Sequence, residues 1–88
     1  MASYKVVFKP SVEKDLCSLP ESVAARVFRH ADALRDHPIP RGARKLAGAE
    51  QLYRVRIGDY RIIYTVDKDA LQVTIHHVRH RRDAYRQL

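Results

Sequence analysis

From Leu52 to Val66 the chain alternates residue by residue, and this alternation limits its fold more than any other feature. Tyr53, Val55 and Ile57 interleave with Leu52, Arg54 and Arg56; beyond Gly58-Asp59, Tyr60, Ile62, Tyr64 and Val66 interleave with Arg61, Ile63 and Thr65. A period of two sends successive side chains to opposite sides of a pleated strand, and Gly-Asp between two such runs reads as a hairpin turn. One face of the hairpin is therefore apolar, and the other carries Arg54, Arg56 and Arg61. Asp67-Lys68-Asp69 makes the next turn, after which Leu71, Val73 and Ile75 predict another strand.

The N-terminal half has a different period. Tyr4 to Lys9 is aromatic and β-branched, which predicts a strand stopping at Pro10. Ser11 is then available as an N-cap. Val12, Leu16 and Leu19 share one face of a short helix that ends before Pro20, a residue suited to the first turn of a second helix. In that second helix Val23, Val27, Ala31 and Leu34 form the apolar stripe, with Arg26, Arg29, His30 and Asp32 off it. Two prolines and a glycine in Asp36 to Gly42 make a loop. The order β-α-α-β-β-β predicts an α+β domain over residues 1–88, with a mostly antiparallel sheet packed on two helices on one face.

A chain of 88 residues has room for one modest core, so a partner that buries surface would add stability. No apolar run approaches a membrane span and no leader-like segment opens the chain, which points to the cytoplasm and away from a membrane. The lone Cys17 has no disulfide partner and no neighbour at metal-ligand spacing; it reads as core filler. No cofactor or metal site is expected. The net charge of +7 is lopsided: residues 1–40 hold six Lys/Arg against five Asp/Glu, and residues 41–88 hold eleven against five. A field of one sign over half a small chain attracts polyanions, so nucleic acid and acidic protein are the partner classes.

Like charges gathered on one sheet face oppose folding unless something anionic joins them. A merely solvated face is the competing explanation. The C-terminal run Val78-Arg79-His80-Arg81-Arg82-Asp83-Ala84-Tyr85-Arg86 follows the last strand and can lie beside the same face. Cleaving a phosphodiester needs cations around its oxygens, a proton acceptor for the nucleophile and a donor for the leaving oxygen. Arg, His and Tyr suit those tasks.

Three blocks, Lys45-Leu46-Ala47-Gly48, Leu52 through Tyr64 and Val78 through Tyr85, together with the opening Phe8 through Leu16 and the Leu19-Pro20 break, strongly resemble the RelE/ParE toxins. The likeness spans nearly the whole chain. RelE-like members share the fold read above, enter the ribosomal A site and cleave the messenger codon there without a metal. The ribose 2′-hydroxyl attacks the adjacent phosphate, so the nucleophile belongs to the RNA.

The resemblance implies roles position by position. Arg54 and Arg56 stand where RelE-like toxins carry basic strand residues, and Arg61 where they carry the transition-state arginine. Tyr85 corresponds to the tyrosine that stacks on the cut nucleotide. Arg79 or Arg81 corresponds to the arginine that helps the leaving group, and the alignment does not choose between them. Lys45, Arg44, His80 and Arg82 are expected RNA contacts. Some relatives have lysine at the place of Arg54; arginine holds its proton, so Arg54 is a poor base, and His80 is the nearest alternative, with His76 and His77 behind it. A structural role for any one of these histidines is the commoner outcome. Tyr53, Tyr60 and Tyr64 lie on the apolar parity and read as packing aromatics.

Implied partners are the 70S ribosome with its messenger RNA and a RelB-like antitoxin that wraps the toxin; DNA is reached only through the antitoxin complex. ParE-like toxins, which inhibit DNA gyrase and cut no RNA, are the alternative on the same scaffold. They generally lack the full arginine set and the Arg-x-x-x-Tyr pattern that Arg81 and Tyr85 form here. A module that only binds an acidic segment is the third possibility.

Overall fold

The computed structural model describes residues 3–46 and 51–80. Strand β1 (Lys5–Phe8) leads into helix α1 (Pro10–Cys17) and helix α2 (Glu21–Ala33); strands β2 (Arg44–Lys45), β3 (Leu52–Ile57), β4 (Tyr60–Asp67) and β5 (Gln72–His80) follow. They form one sheet in the order β1-β5-β4-β3-β2, antiparallel except for the parallel β1/β5 pair. The α+β arrangement is the expected one. Among the described residues no helix is long and apolar enough to cross a membrane.

The core lies between the helices and one sheet face. Val12 of α1, Val27 and Ala31 of α2 and the adjoining Leu34 meet Val55, Ile57, Ile62, Tyr64, Val66, Val73, Ile75 and Val78. Tyr64 is fully buried, and its hydroxyl donates to the Pro38 carbonyl at 2.8 Å, tying the loop after α2 to the sheet. Burial, with Tyr53 beside it, pushes the Tyr64 phenol up to about 12. Tyr53 stacks on Tyr64 with centroids 6.0 Å apart. These tyrosines pack, as their parity predicts.

Several expectations need correction. Ser11 is not the N-cap: the helix starts at Pro10, whose missing N–H costs nothing at the first position, and Lys9 precedes it without a side-chain cap. Pro20 is itself the residue before α2 rather than within its first turn. Cys17 is exposed, because one position past Leu16 the helix has turned ~100° away from the apolar stripe. Leu71 is not in a strand; it sits in the preceding turn at φ +53, more exposed than any core leucine. Sequence periodicity also misses β2, whose two residues are too few to show a period.

The β3/β4 hairpin turns at Gly58, whose φ of +59 falls in the left-handed region. An added Cβ there would also stand 3.4 Å from Arg26 Nη1. Gly58→Ala is therefore expected to destabilise the protein by about 1 kcal/mol, read as a lower urea midpoint with an unchanged slope.

Candidate RNA-binding and catalytic face

Regular alternation along β5 would send Val73, Ile75, His77 and Arg79 to one side and Val78 to the other. The register shows otherwise: Tyr64 pairs with Ile75, but Ile63 pairs with His77, so His76 is an extra residue opposite the Ile63/Tyr64 step. Such a bulge reverses the facing of everything beyond it. Val78 consequently joins Ile75 in the core at 2% exposure, and His77 and Arg79 move to the face turned away from the helices.

That reversal aligns the arginines. Arg56 pairs with Arg61 and Arg61 with Arg79, giving a row of three across β3, β4 and β5. A second row runs Arg44, Arg54, Ile63 and His77. Paired residues in antiparallel strands have Cα atoms ~5 Å apart, so the five arginines form one dense patch. Arg61 is 8% exposed at its centre, and Arg54 is half-buried while Arg44 and Arg56 are exposed. Arg56 is braced by its own turn, its Nε donating to the Gly58 carbonyl at 3.0 Å.

The edge of β5 beyond β1 meets α1. Arg79 Nη1 donates to Asp15 Oδ1 at 3.0 Å, and the Val78 N–H points at Asp15 Oδ2 at 3.5 Å. Arg79 Nε and His77 Nδ1 are buried, with no hydrogen-bond partner among the described residues. His76 Nε2 lies 3.0 Å from Thr65 Oγ1. Burial, Lys9 and His77 together hold the His76 imidazole below its ordinary value. For His77 burial is again the main cause, followed by Arg79, with Asp15 pulling the other way and Lys9 adding to the depression. Both rings are therefore neutral at pH 7, with a lone pair to accept a proton.

The structure thus gathers Arg44, Arg54, Arg56, Arg61 and Arg79, and separates them from two other expected contacts. Lys45 pairs with Tyr53 and His80 with Tyr60, both on the helix-side parity. The His80 ring meets Tyr60 edge-on, centroids 5.2 Å apart. Arg81, Arg82 and Tyr85 lie outside the described residues. Sequence reasoning missed Asp15 and put His80 ahead of His77, whereas the register places His77 on the arginine face and His80 on the other. The three-residue step from Ile75 to Val78 within an apolar series of period two was the available signal for the bulge, and the signal for Asp15 was a carboxylate three residues after Val12, at the margin of the buried side of α1. Among the described residues no three His, Cys, Asp or Glu side chains converge as metal ligands.

Residues 6–85 match the family model described as ParE toxin of type II toxin-antitoxin system, parDE. Toxin RelG of Mycobacterium tuberculosis is 36% identical over 88 residues, covering 94% of this chain and 97% of that protein. Toxin RelE of the same organism is 32% identical over 84 residues, covering 94% and 87%. Among solved structures, the archaeal RelE-RelB complex from Pyrococcus horikoshii OT3 contains a chain that superposes with a TM-score of 0.81 at 36% identity, covering 90% of this chain and 96% of its own.

Because the folded pKa of each bulge histidine lies below 6.5, the unfolded chain takes up more protons as pH falls, and these two groups withdraw stability below about pH 6.5. In an NMR titration both rings are expected to show midpoints below 6.5. Arg79→Gln should raise the His77 midpoint and leave that of His76 in place.

Proposed function

The chain belongs to the RelE/ParE superfamily of type II toxin-antitoxin toxins, and we propose that it is a RelE-like endoribonuclease that cuts messenger RNA in the ribosomal A site. The observation that carries this proposal is the cross-strand row Arg56, Arg61, Arg79 with the neutral His77 beside it. A phosphodiester backbone laid along this face meets preorganised cations, which act most strongly on charge that grows as the phosphate is attacked.

In the proposed step the ribose 2′-hydroxyl adds to the neighbouring phosphorus, its proton passes to a base, and the 5′-oxygen leaves with a proton from a donor. The products are a 2′,3′-cyclic phosphate and a 5′-hydroxyl. DNA lacks the nucleophile and is no substrate. Arg61, partly desolvated at the centre, faces the non-bridging oxygens, while Arg54 and Arg56 bind flanking phosphates. Arg54 remains protonated and cannot serve as the base. His77 and His76 are the groups on the described part of this face that can accept the proton. Tyr85 is assigned the stacking role and Arg79 or Arg81 the leaving-group role, on the family likeness.

The Pyrococcus RelE-RelB complex supports a RelB-like antitoxin as the partner that restrains this chain. The family model's description as a ParE toxin favours a second reading, gyrase inhibition without RNA cleavage. Primer extension after brief induction separates the two: cuts inside translated codons support the endoribonuclease, and inhibited plasmid supercoiling without such cuts supports the other.

Cleavage is expected on programmed ribosomes and not on naked RNA, and to be unchanged when the toxin is pre-treated with EDTA and returned to magnesium buffer that keeps the ribosome intact; EDTA-sensitive cutting of naked RNA would overturn the mechanism. Arg61→Ala, checked for folding by its melting curve, is expected to slow single-turnover cleavage by roughly two to three orders of magnitude with ribosome affinity nearly unchanged. A wild-type rate in the folded variant would remove Arg61 from the chemistry.

A further inference from the structure

We infer that Asp15 is a positioning residue for RNA cleavage: from α1 it holds the Arg79 guanidinium at the end of the arginine row, with the solvent-facing part of that group left for a phosphate oxygen. This rests on the endoribonuclease reading and extends it to a helix that contributes no residue to the face itself.

Asp15 stands three positions after Val12, at the margin of the buried side of α1, and its side chain is only 15% exposed. Both carboxylate oxygens have work there. Strand β1 ends at Phe8 opposite Ile75, so beyond that point the outer edge of β5 has no strand partner among the described residues. Helix α1 takes that place, and Asp15 Oδ2 receives the Val78 N–H while Oδ1 receives Arg79 Nη1. A carboxylate anchored on backbone at one oxygen fixes where a guanidinium bound to the other must sit.

Arg79 needs such an anchor for two reasons. Its cross-strand neighbour is Arg61, and like charges paired across strands repel, so an unanchored Arg79 would swing away into solvent. A long side chain also loses several torsional freedoms when it is held for a ligand, and a contact already made in the free protein removes that loss from the binding step. With Nη1 engaged by Asp15 and the side chain still 27% exposed, the guanidinium keeps a solvent-facing part that can donate to a phosphate oxygen.

The test is a double-mutant cycle on programmed ribosomes. Single-turnover cleavage, ribosome dissociation constant and melting temperature are measured for Asp15→Ala, Asp15→Asn, Arg79→Ala and the Asp15→Ala/Arg79→Ala pair. Asp15→Ala is expected to slow cleavage on the order of tenfold with little change in ribosome affinity, and to have no further effect once Arg79 is absent. Asp15→Asn keeps an acceptor for the Val78 N–H, so it is expected to melt close to wild type and still cleave more slowly; it decides the matter if Asp15→Ala does not fold. Cleavage at or above the wild-type rate in the folded variants overturns the inference, as does equal slowing by Asp15→Ala with and without Arg79, the signature of a merely structural tie. Failure of the wild-type protein to cut ribosome-bound messenger overturns the endoribonuclease reading, and the inference with it.

Discussion

One extra residue in β5 decides what each side of this protein can do. The bulge at His76 lets Ile75 and Val78 both face the helices although three positions separate them, and the same shift brings His77 and Arg79 into line with Arg54, Arg56 and Arg61. In an unbulged strand Arg79 would point into the core and Val78 away from it, which would bury a charge and expose a valine at once. Core packing therefore enforces the alignment of the functional face. The strand cannot relax into regular pairing without losing its apolar contacts.

The arginine patch and the bulge histidines are linked by one field. Five guanidinium groups across β2 to β5 repel one another, and the repulsion is tolerable because the core that stabilises the fold lies on the other side of the sheet. That positive field makes the face receptive to a phosphate backbone. It also opposes protonation of nearby rings: after burial, Arg79 is the next cause of the low His77 value. The cations and neutral rings that the proposed cleavage calls for thus arise together, and RNA binding, by adding negative charge, would favour the protonated imidazole that the proposed proton transfer creates.

Asp15 shows how the helices bear on a face they do not touch directly. The α1 helix starts one residue after the residue that follows Phe8, so the chain leaves β1 and immediately crosses the β5 edge that β1 no longer covers. The helix brings both an apolar residue for the core, Val12, and a carboxylate for the rim of the arginine patch. A short strand followed at once by a helix is what makes this possible.

Much of the architecture was legible in the sequence because the relevant signals are local. Alternation from Leu52 to Val66 defines the hairpin and its two faces, and the Val23, Val27, Ala31, Leu34 stripe defines the buried side of α2; both depend on backbone geometry repeated over a few residues. Arg54, Arg56 and Arg61 were placed on one face by parity alone. Parity failed beyond Ile75, since the number of residues between strand partners is set by which apolar side chains the helices can accept, and His80 consequently falls on the side away from the patch; Lys45 does so because it pairs with Tyr53 in a strand too short to show a period. Cys17 and Leu71 were misplaced for a related reason: hydrophobic character was allowed to outweigh angular position and turn geometry. The amino-acid order by itself determined the elements other than β2, the split of the hairpin into an apolar and a cationic face, and the excess of positive charge. Only the tertiary structure decided that Arg79 stands beside Arg61, that His77 is neutral among cations, and that Asp15, 64 positions earlier in the chain, meets Arg79. Those three facts depend on the register of separate strands and on the crossing of a helix over an edge, and neither is encoded within any one segment.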